Sequence, residues 1–315
     1  MHFPSLYHED DNFNEAYAAR IAEFASEGSQ AGLKPAISDQ RKVAFIAVDA
    51  QYDFCHPRGT LYVPGSQEDT QRMVEWVYHN VAEISTIIAS LDSHYPFQIF
   101  YGSWWEYEDG THPVPFTMIM LNSMGETVDQ DGRRIRPLLS AHWSLKYVRE
   151  LKTQSQKDLM IWPEHTMVGT QGHMLMPTLS EAIAFHSAAR LAQPVFLQKG
   201  IVPQVEHYGI FAPEVMYPNN PAAGLNTAML DLIATHDLIY VGGEAKSHCV
   251  LETMKQLVGY FSQQQPEVLK KIRFLIDCTS SVEHPAVDFD GIAEAELQKM
   301  ATQGVEIVKS TDPIG

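Results

Sequence analysis

The sequence predicts an α/β fold: a six-stranded, mostly parallel sheet with helices on both faces and one inserted segment. Short apolar, partly β-branched runs alternate with stretches of helical periodicity, the order that parallel βαβ units require. The first such run, VAFIAVD from Val43, is apolar throughout rather than alternating, as strands buried on both faces are. At 315 residues and 45% hydrophobic content, the chain can bury a core of that size.

Residues 1–41 are polar and acidic and read as an N-terminal arm, with a helix expected over 14–26 from the shared face of Tyr17, Ile21 and Phe24. The main domain is expected over 42–315. Its first strand ends at Asp49, and a Pro/Gly-rich loop carrying Gln51, Asp53, Phe54 and Cys55 leads to a helix expected over 66–83. Met73, Trp76, Val77 and Val81 supply that helix's apolar stripe, which reads as core. STIIASL is the second strand, closed by Asp92-Ser93-His94. Residues 95–158 mix aromatic and turn residues without a sustained period and are expected to form an insertion beside the sheet, with a helix over 143–151. PVFLQ is the third strand and runs into Lys199-Gly200; a helix is expected over 222–235. LIYV is the fourth, followed by Gly242, Gly243 and then Cys249 in the first turn of a helix marked by Val250, Met254, Leu257 and Val258. IRFLID and VEIVKS are the fifth and sixth, with a helix over 292–302 between them.

A formal charge of −17 repels phosphate backbones and anionic lipid, which argues against nucleic acid and membrane partners. No apolar run of membrane-spanning length and no charged leader is present, so a cytoplasmic setting is expected. The three cysteines, Cys55, Cys249 and Cys278, are far apart and form no CxxC pair, which points to reduced thiols rather than a disulfide framework or a structural zinc site.

Ligands of open parallel sheets sit at the carboxyl ends of strands, and Asp49 and Lys199 fall there. Cys249 falls at a helix start, where unpaired amides and the helix dipole favour an anion, so its thiol pKa is expected to be lowered. Asp92 and His94, two apart at a strand end, suit a divalent ion, and His165 can join them if its loop folds back. Each residue also has a plain structural reading: a turn or cap for Asp49, a surface lysine, a core cysteine, a solvated turn for Asp92 and His94, a structural His165, and core packing for the aromatic residues.

Asp49, Lys199 and Cys249 lie, in that order, in the stretches AVDAQYDF, LQKG and VGGEAKSHCVLET. This constellation resembles the isochorismatase-like cysteine hydrolases and, among them, their nicotinamidase-like members. Asp92-Ser93-His94, WPEH at 162–165, EHYGIF from Glu206, DCTSSV and GVEIVKS are similar too, so the likeness covers about residues 42–310. It implies an isochorismatase-like, Rossmann-like fold and cysteine-dependent hydrolysis of a small amide, nicotinamide to nicotinate plus ammonia above all, through an acyl-enzyme on Cys249. Asp49 would accept the thiol proton and Lys199 would favour the thiolate. The backbone amides of Ala245 and Cys249 would hold the oxyanion, with a cis peptide between Glu244 and Ala245. Asp92, His94 and His165 would bind a divalent metal ion, zinc or iron, while Phe54, Trp162 and Tyr208 would enclose a flat ring. A homo-oligomer is expected. A relative cleaving another small amide or carbamoyl compound, and a non-catalytic binding or scaffold relative, stand beside this reading. Three positions depart from the family pattern: Lys246-Ser247 stand where it often has Thr-Asp, and Tyr101 stands where some relatives carry a further histidine ligand.

Overall fold

Six consecutive apolar residues have no polar face to show to water, so VAFIAV suits the middle of a sheet; it lies there as β1 (Val43–Val48), with every residue buried. The structure, a computed structural model, describes residues 2–14, 17–155, 157–283 and 287–315. Five further strands pair in parallel with β1 or with one another: β2 (Ile84–Asp92), β3 (Val195–Lys199), β4 (Leu238–Gly243), β5 (Ile272–Leu275) and β6 (Glu306–Val308). All six expected strands are present, in the spatial order β6-β5-β4-β1-β2-β3. The chain steps outward from β1 toward β3, then returns to β4 and steps the other way. The segments leaving β1 and β4 therefore diverge and open a crevice at their carboxyl ends.

Side chains of β1 alternate between two cores. Val43, Phe45 and Ala47 face the helices Ser66–Asn80 and Pro177–Arg190, whereas Ile46 and Val48 face Thr227–Ala234, Leu251–Gln264 and Phe289–Thr302. On the first face Trp76 lies between Phe45 and Tyr240, with ring centroids 5.1 and 4.7 Å away. Truncating it to alanine would cost about 3–5 kcal/mol.

Several elements differ from expectation. The helix Pro177–Arg190 is absent from the expected set, because it is buried on almost every side, its alanines are spread around it and no apolar stripe stands out. Its outer side is covered by the arm helix, which runs Ile21–Ser29 rather than over 14–26. Tyr17 Oη and the Arg20 amide both donate to Glu181 Oε1 at 2.7 Å, and this holds the chain in a non-helical path up to Arg20. Glu15 and Ala16, within the expected arm helix, lie outside the described residues. The two helices approach so closely that a Cβ on Gly28 would run into the carbonyl of Phe185. The helix expected over 222–235 is shorter, since the Asn226 side chain accepts from the Met229 amide and caps Thr227–Ala234.

Between β2 and Pro177–Arg190 the chain builds two small antiparallel sheets. One pairs Trp105–Tyr107 with Ile135–Pro137; the other pairs Met118–Leu121 with Thr127–Asp129 and Leu159–Met160. With the helix Ala141–Glu150 they enclose a third core that includes Trp104, Trp105 and Tyr147. No helix among the described residues is long and apolar enough to cross a membrane.

Candidate active site

The ends of β1, β2, β3 and β4 place four functional groups around the crevice. Asp49, the residue after β1, is fully buried and has φ 45°, a left-handed conformation that aspartate tolerates better than most residues. Its Oδ1 accepts from Ser90 Oγ at 2.6 Å, and its Oδ2 lies 3.0 Å from Lys199 Nζ. Lys199 Nζ is also 3.0 Å from Asp92 Oδ1, donates to the His207 carbonyl at 2.7 Å and sits 3.7 Å from Cys249 Sγ. Cys249 occupies the turn Lys246–Val250 ahead of the helix Leu251–Gln264, within hydrogen-bonding reach of the Asp49 side chain. At Gly243, φ is 124° and a Cβ would strike the backbone of Val48, so glycine lets β4 turn into this loop beside β1. The peptide between Glu244 and Ala245 is cis.

Burial and facing charges compete in setting the protonation of this cluster. Burial disfavours the charged lysine, but Asp49 and Asp92 outweigh it and hold the Lys199 pKa above the ordinary range. Asp49 is raised by burial, pulled back by Lys199 and pushed up again by Asp92, which leaves it a stronger base than a solvated carboxylate. The Cys249 thiol is pushed well up, first by burial; Lys199 opposes this, while Asp49 and Asp92 add to it. This reverses the lowered thiol pKa expected from a helix start. The dipole and the Asp49 neighbour were legible, but the burial and the closeness of the second carboxylate, Asp92, were not.

Asp92, His94 and His165 bring one ligand atom each within 4.8 Å of one another, and all three residues are buried. Asp92 Oδ2 lies 2.9 Å from His94 Nε2 and 3.7 Å from His165 Nε2. The other ring nitrogens face backbone carbonyls: His94 Nδ1 is 3.3 Å from Gly200 O and His165 Nδ1 2.7 Å from Pro163 O. Protonated Nδ1 atoms would leave both Nε2 lone pairs aimed at one point beside the carboxylate, an arrangement that fits a divalent cation. A Cβ on Gly200, which has φ 75°, would collide with the His94 ring and Asp92, so the glycine after Lys199 makes room for these side chains. Tyr101 belongs to the support instead: its hydroxyl donates to the His165 carbonyl at 3.1 Å.

One cavity joins both groups. It holds about 510 Å³, its open mouth included, and is lined by Cys249, Ala245, Asp92, His94 and His165 together with the expected ring-binding residues Phe54, Trp162 and Tyr208. Trp162 and Tyr208 meet nearly at right angles, 88° with centroids 6.5 Å apart, and Phe54 lies 5.5 Å from the His165 ring. Three ionisable lining residues had no role in the sequence reading: Glu206, His207 and His248. Glu206 stood within EHYGIF, yet a lone glutamate gives no sign that it will be buried. Gln51 was missed similarly; its side chain accepts from the Asp92 amide at 2.7 Å and donates to the Asp92 carbonyl at 2.9 Å, fixing the end of β2. The departing pair serves local structure. Lys246 Nζ reaches Asp290 Oδ1 at 2.7 Å, and Ser247 Oγ accepts from the Val282 amide at 3.0 Å.

The fold is shared with solved nicotinamidases. The yeast nicotinamidase, in a crystal structure bound to the inhibitor nicotinaldehyde, superposes with TM-score 0.55 at 16% identity over 85% of this chain and 99% of that one. A second structure of the yeast enzyme gives TM-score 0.54 at 18% identity, covering 85% and 99% of the two chains. A nicotinamidase and pyrazinamidase of Acinetobacter baumanii gives 0.53 at 19% identity over 87% of this chain and 99% of that one. No family model and no curated protein matches the sequence.

Proposed function

We propose that this protein is a cysteine-dependent hydrolase of a small amide, a nicotinamidase-like enzyme that converts nicotinamide to nicotinate and ammonia. One observation carries the reading: a buried lysine amine lies 3.0 Å from Asp49 and 3.7 Å from the sulfur of Cys249, and that cysteine lines a cavity together with an Asp-His-His cluster.

In this mechanism Cys249 Sγ attacks the amide carbonyl carbon while its proton moves to Asp49, whose raised pKa suits a general base. The thiol is neutral at rest, so proton transfer accompanies attack, and Lys199 stabilises the developing thiolate. The amides of Ala245 and Cys249 receive the oxyanion. The C–N bond then breaks, Asp49 returns its proton to the leaving nitrogen, and ammonia departs from a thioester. Water adds to that carbonyl and gives a proton to Asp49; the C–S bond breaks and the thiol is restored. Asp92, His94 and His165 would hold a divalent ion, zinc- or iron-like for two imidazoles and a carboxylate, which supplies positive charge to orient substrate or water beside the thiol. Phe54, Trp162 and Tyr208 flank a flat ring.

The main segment 42–315 as hydrolase domain, the arm 1–41, the insertion at about 95–158, a cytoplasmic setting and a homo-oligomer belong to the same proposal. Exposed Val114, Phe116 and Met124 offer apolar surface for contact between copies. A second reading, hydrolysis of another small amide or carbamoyl compound, is favoured by the polar Glu206 and His248 in the cavity wall.

Ammonia release from a panel of primary amides including nicotinamide, measured for wild type and Cys249→Ala, tests both. Turnover of nicotinamide lost in the variant supports the first reading. Turnover of a different amide alone supports the second, and silence across the panel favours a binding protein or a substrate outside the panel.

A further inference from the structure

The reaction proposed above turns a neutral amide into an anion inside the cavity, and one wall of that cavity carries an ionisable carboxyl that the mechanism does not use. Glu206 is 4% exposed and lines the cavity that Cys249 lines. Its Oε1 accepts from Trp162 Nε1 at 2.8 Å, its side chain is hydrogen-bonded to the Tyr208 hydroxyl, and its amide donates to Tyr147 Oη at 2.8 Å. The carboxyl is therefore held in place by both aromatic walls.

We propose that Glu206 is a specificity-determining residue that, when ionised, disfavours the carboxylate product relative to the neutral amide and so drives product release. The inference rests on the amidase reading and extends it to the fate of the product.

Two features of the surroundings support it. The Glu206 pKa is raised to about 7, first by burial; hydrogen bonds from Tyr208 and Trp162 pull it down, Glu214 pushes it up and Lys157 lowers it. The carboxyl thus changes charge near neutrality. His207 and His248, which share the wall, are held neutral by burial, at about 3 and about 4, with Lys199 and Lys157 respectively acting in the same direction. Neither supplies a countercharge to the product. An anion beside ionised Glu206 meets a like charge across a medium of low dielectric, whereas the amide does not. Below the Glu206 pKa that penalty vanishes; above it the penalty is complete.

The test is the competitive inhibition constant of nicotinate during nicotinamide hydrolysis, or of the acid and amide pair that the panel returns. In wild type it should rise about fivefold between roughly pH 6 and pH 8, and in Glu206→Gln, which keeps an acceptor for Trp162, less than about twofold. Tyr208→Phe removes a hydrogen bond that lowers the Glu206 pKa, so the rise should begin at higher pH. Equal rises in wild type and Glu206→Gln, or a flat wild type, overturn the inference while amide turnover stands. Should the glutamine variant fail to fold, the wild-type slope and the Tyr208→Phe displacement decide, and an undisplaced midpoint overturns it. A wild type without amide turnover removes the amidase reading and this inference together.

Discussion

The two sides of the cavity are built on different principles. The sheet side is made of strand ends: Asp49, Asp92 and Lys199 are fixed by backbone pairing that extends through the core, and their charges compensate one another within 3.0 Å. The aromatic side is made of loop residues, Trp162, Glu206 and Tyr208, joined side chain to side chain and resting on a core of Trp104, Trp105 and Tyr147. Chemistry needs groups that hold position while charge moves, and a parallel sheet supplies that rigidity. Selectivity needs a shape that can vary without disturbing the chemistry, and loops on a separate small core supply it.

Changes on the sheet side should therefore damage stability and activity together. The largest effect is expected for Lys199→Met, which leaves two buried carboxylates facing each other. Breaking a buried ion pair from one side costs about 3–5 kcal/mol. Denaturant unfolding should register that loss alongside at least a hundredfold lower turnover, an order of magnitude ordinary for a displaced catalytic group. A fully stable but inactive Lys199→Met would show that the amine serves chemistry alone.

The sides should also separate by what they bind. His94→Ala and His165→Ala should lower the metal content of the purified protein, read by elemental analysis, whereas Trp162→Ala should retain it and raise KM about tenfold through lost ring contact. Equal metal content in wild type and both histidine variants would remove the cation site. An unchanged KM in Trp162→Ala would remove the aromatic wall from recognition.

The smallest effect concerns thiol labelling. All three cysteines are buried with raised pKa values, but only Cys249 borders the cavity. Iodoacetamide followed by mass spectrometry should modify Cys249 ahead of Cys55 and Cys278. A raised folded-state pKa means the thiolate fraction is still growing above the usual thiol range, so the rate should keep climbing past about pH 9 rather than level off. A plateau near neutrality would restore the activated thiol that the helix start alone predicts.

The same division explains what the sequence disclosed. The central strands β1 and β4, buried at every residue, announced themselves as unbroken apolar runs, whereas the edge strands β3 and β6, only partly buried, were legible from shorter apolar runs; Asp49 and Lys199 were conspicuous as polar residues at the ends of strands. The strands Trp105–Tyr107 and Ile135–Pro137 have three residues each, too few for a period to emerge, and their pairing spans a loop that no local signal describes. Pro177–Arg190 was hidden for the opposite reason, being covered on so many sides that it lacks a polar face. His165 could be named as a ligand but not placed, since its approach to Asp92 depends on backbone bonds such as the Thr166 amide to Asp53 Oδ2 at 2.7 Å.

The strand order also bears on how the protein is made. β1 and β4 are neighbours at the centre of the sheet, yet the Lys42 amide and the Asp237 carboxylate that meet at their entrance are 195 residues apart in the chain. Closing so long a loop carries an entropic cost that local contacts do not share, and non-local pairing of this kind slows folding. A growing chain can join β1, β2 and β3 and dock its arm, but it has no central partner for β1 until β4 emerges, and the cysteine follows directly behind that strand. Cys249, the proposed nucleophile, is thus the last of the proposed catalytic groups to arrive, and the step that shelters it is the one that completes the middle of the sheet.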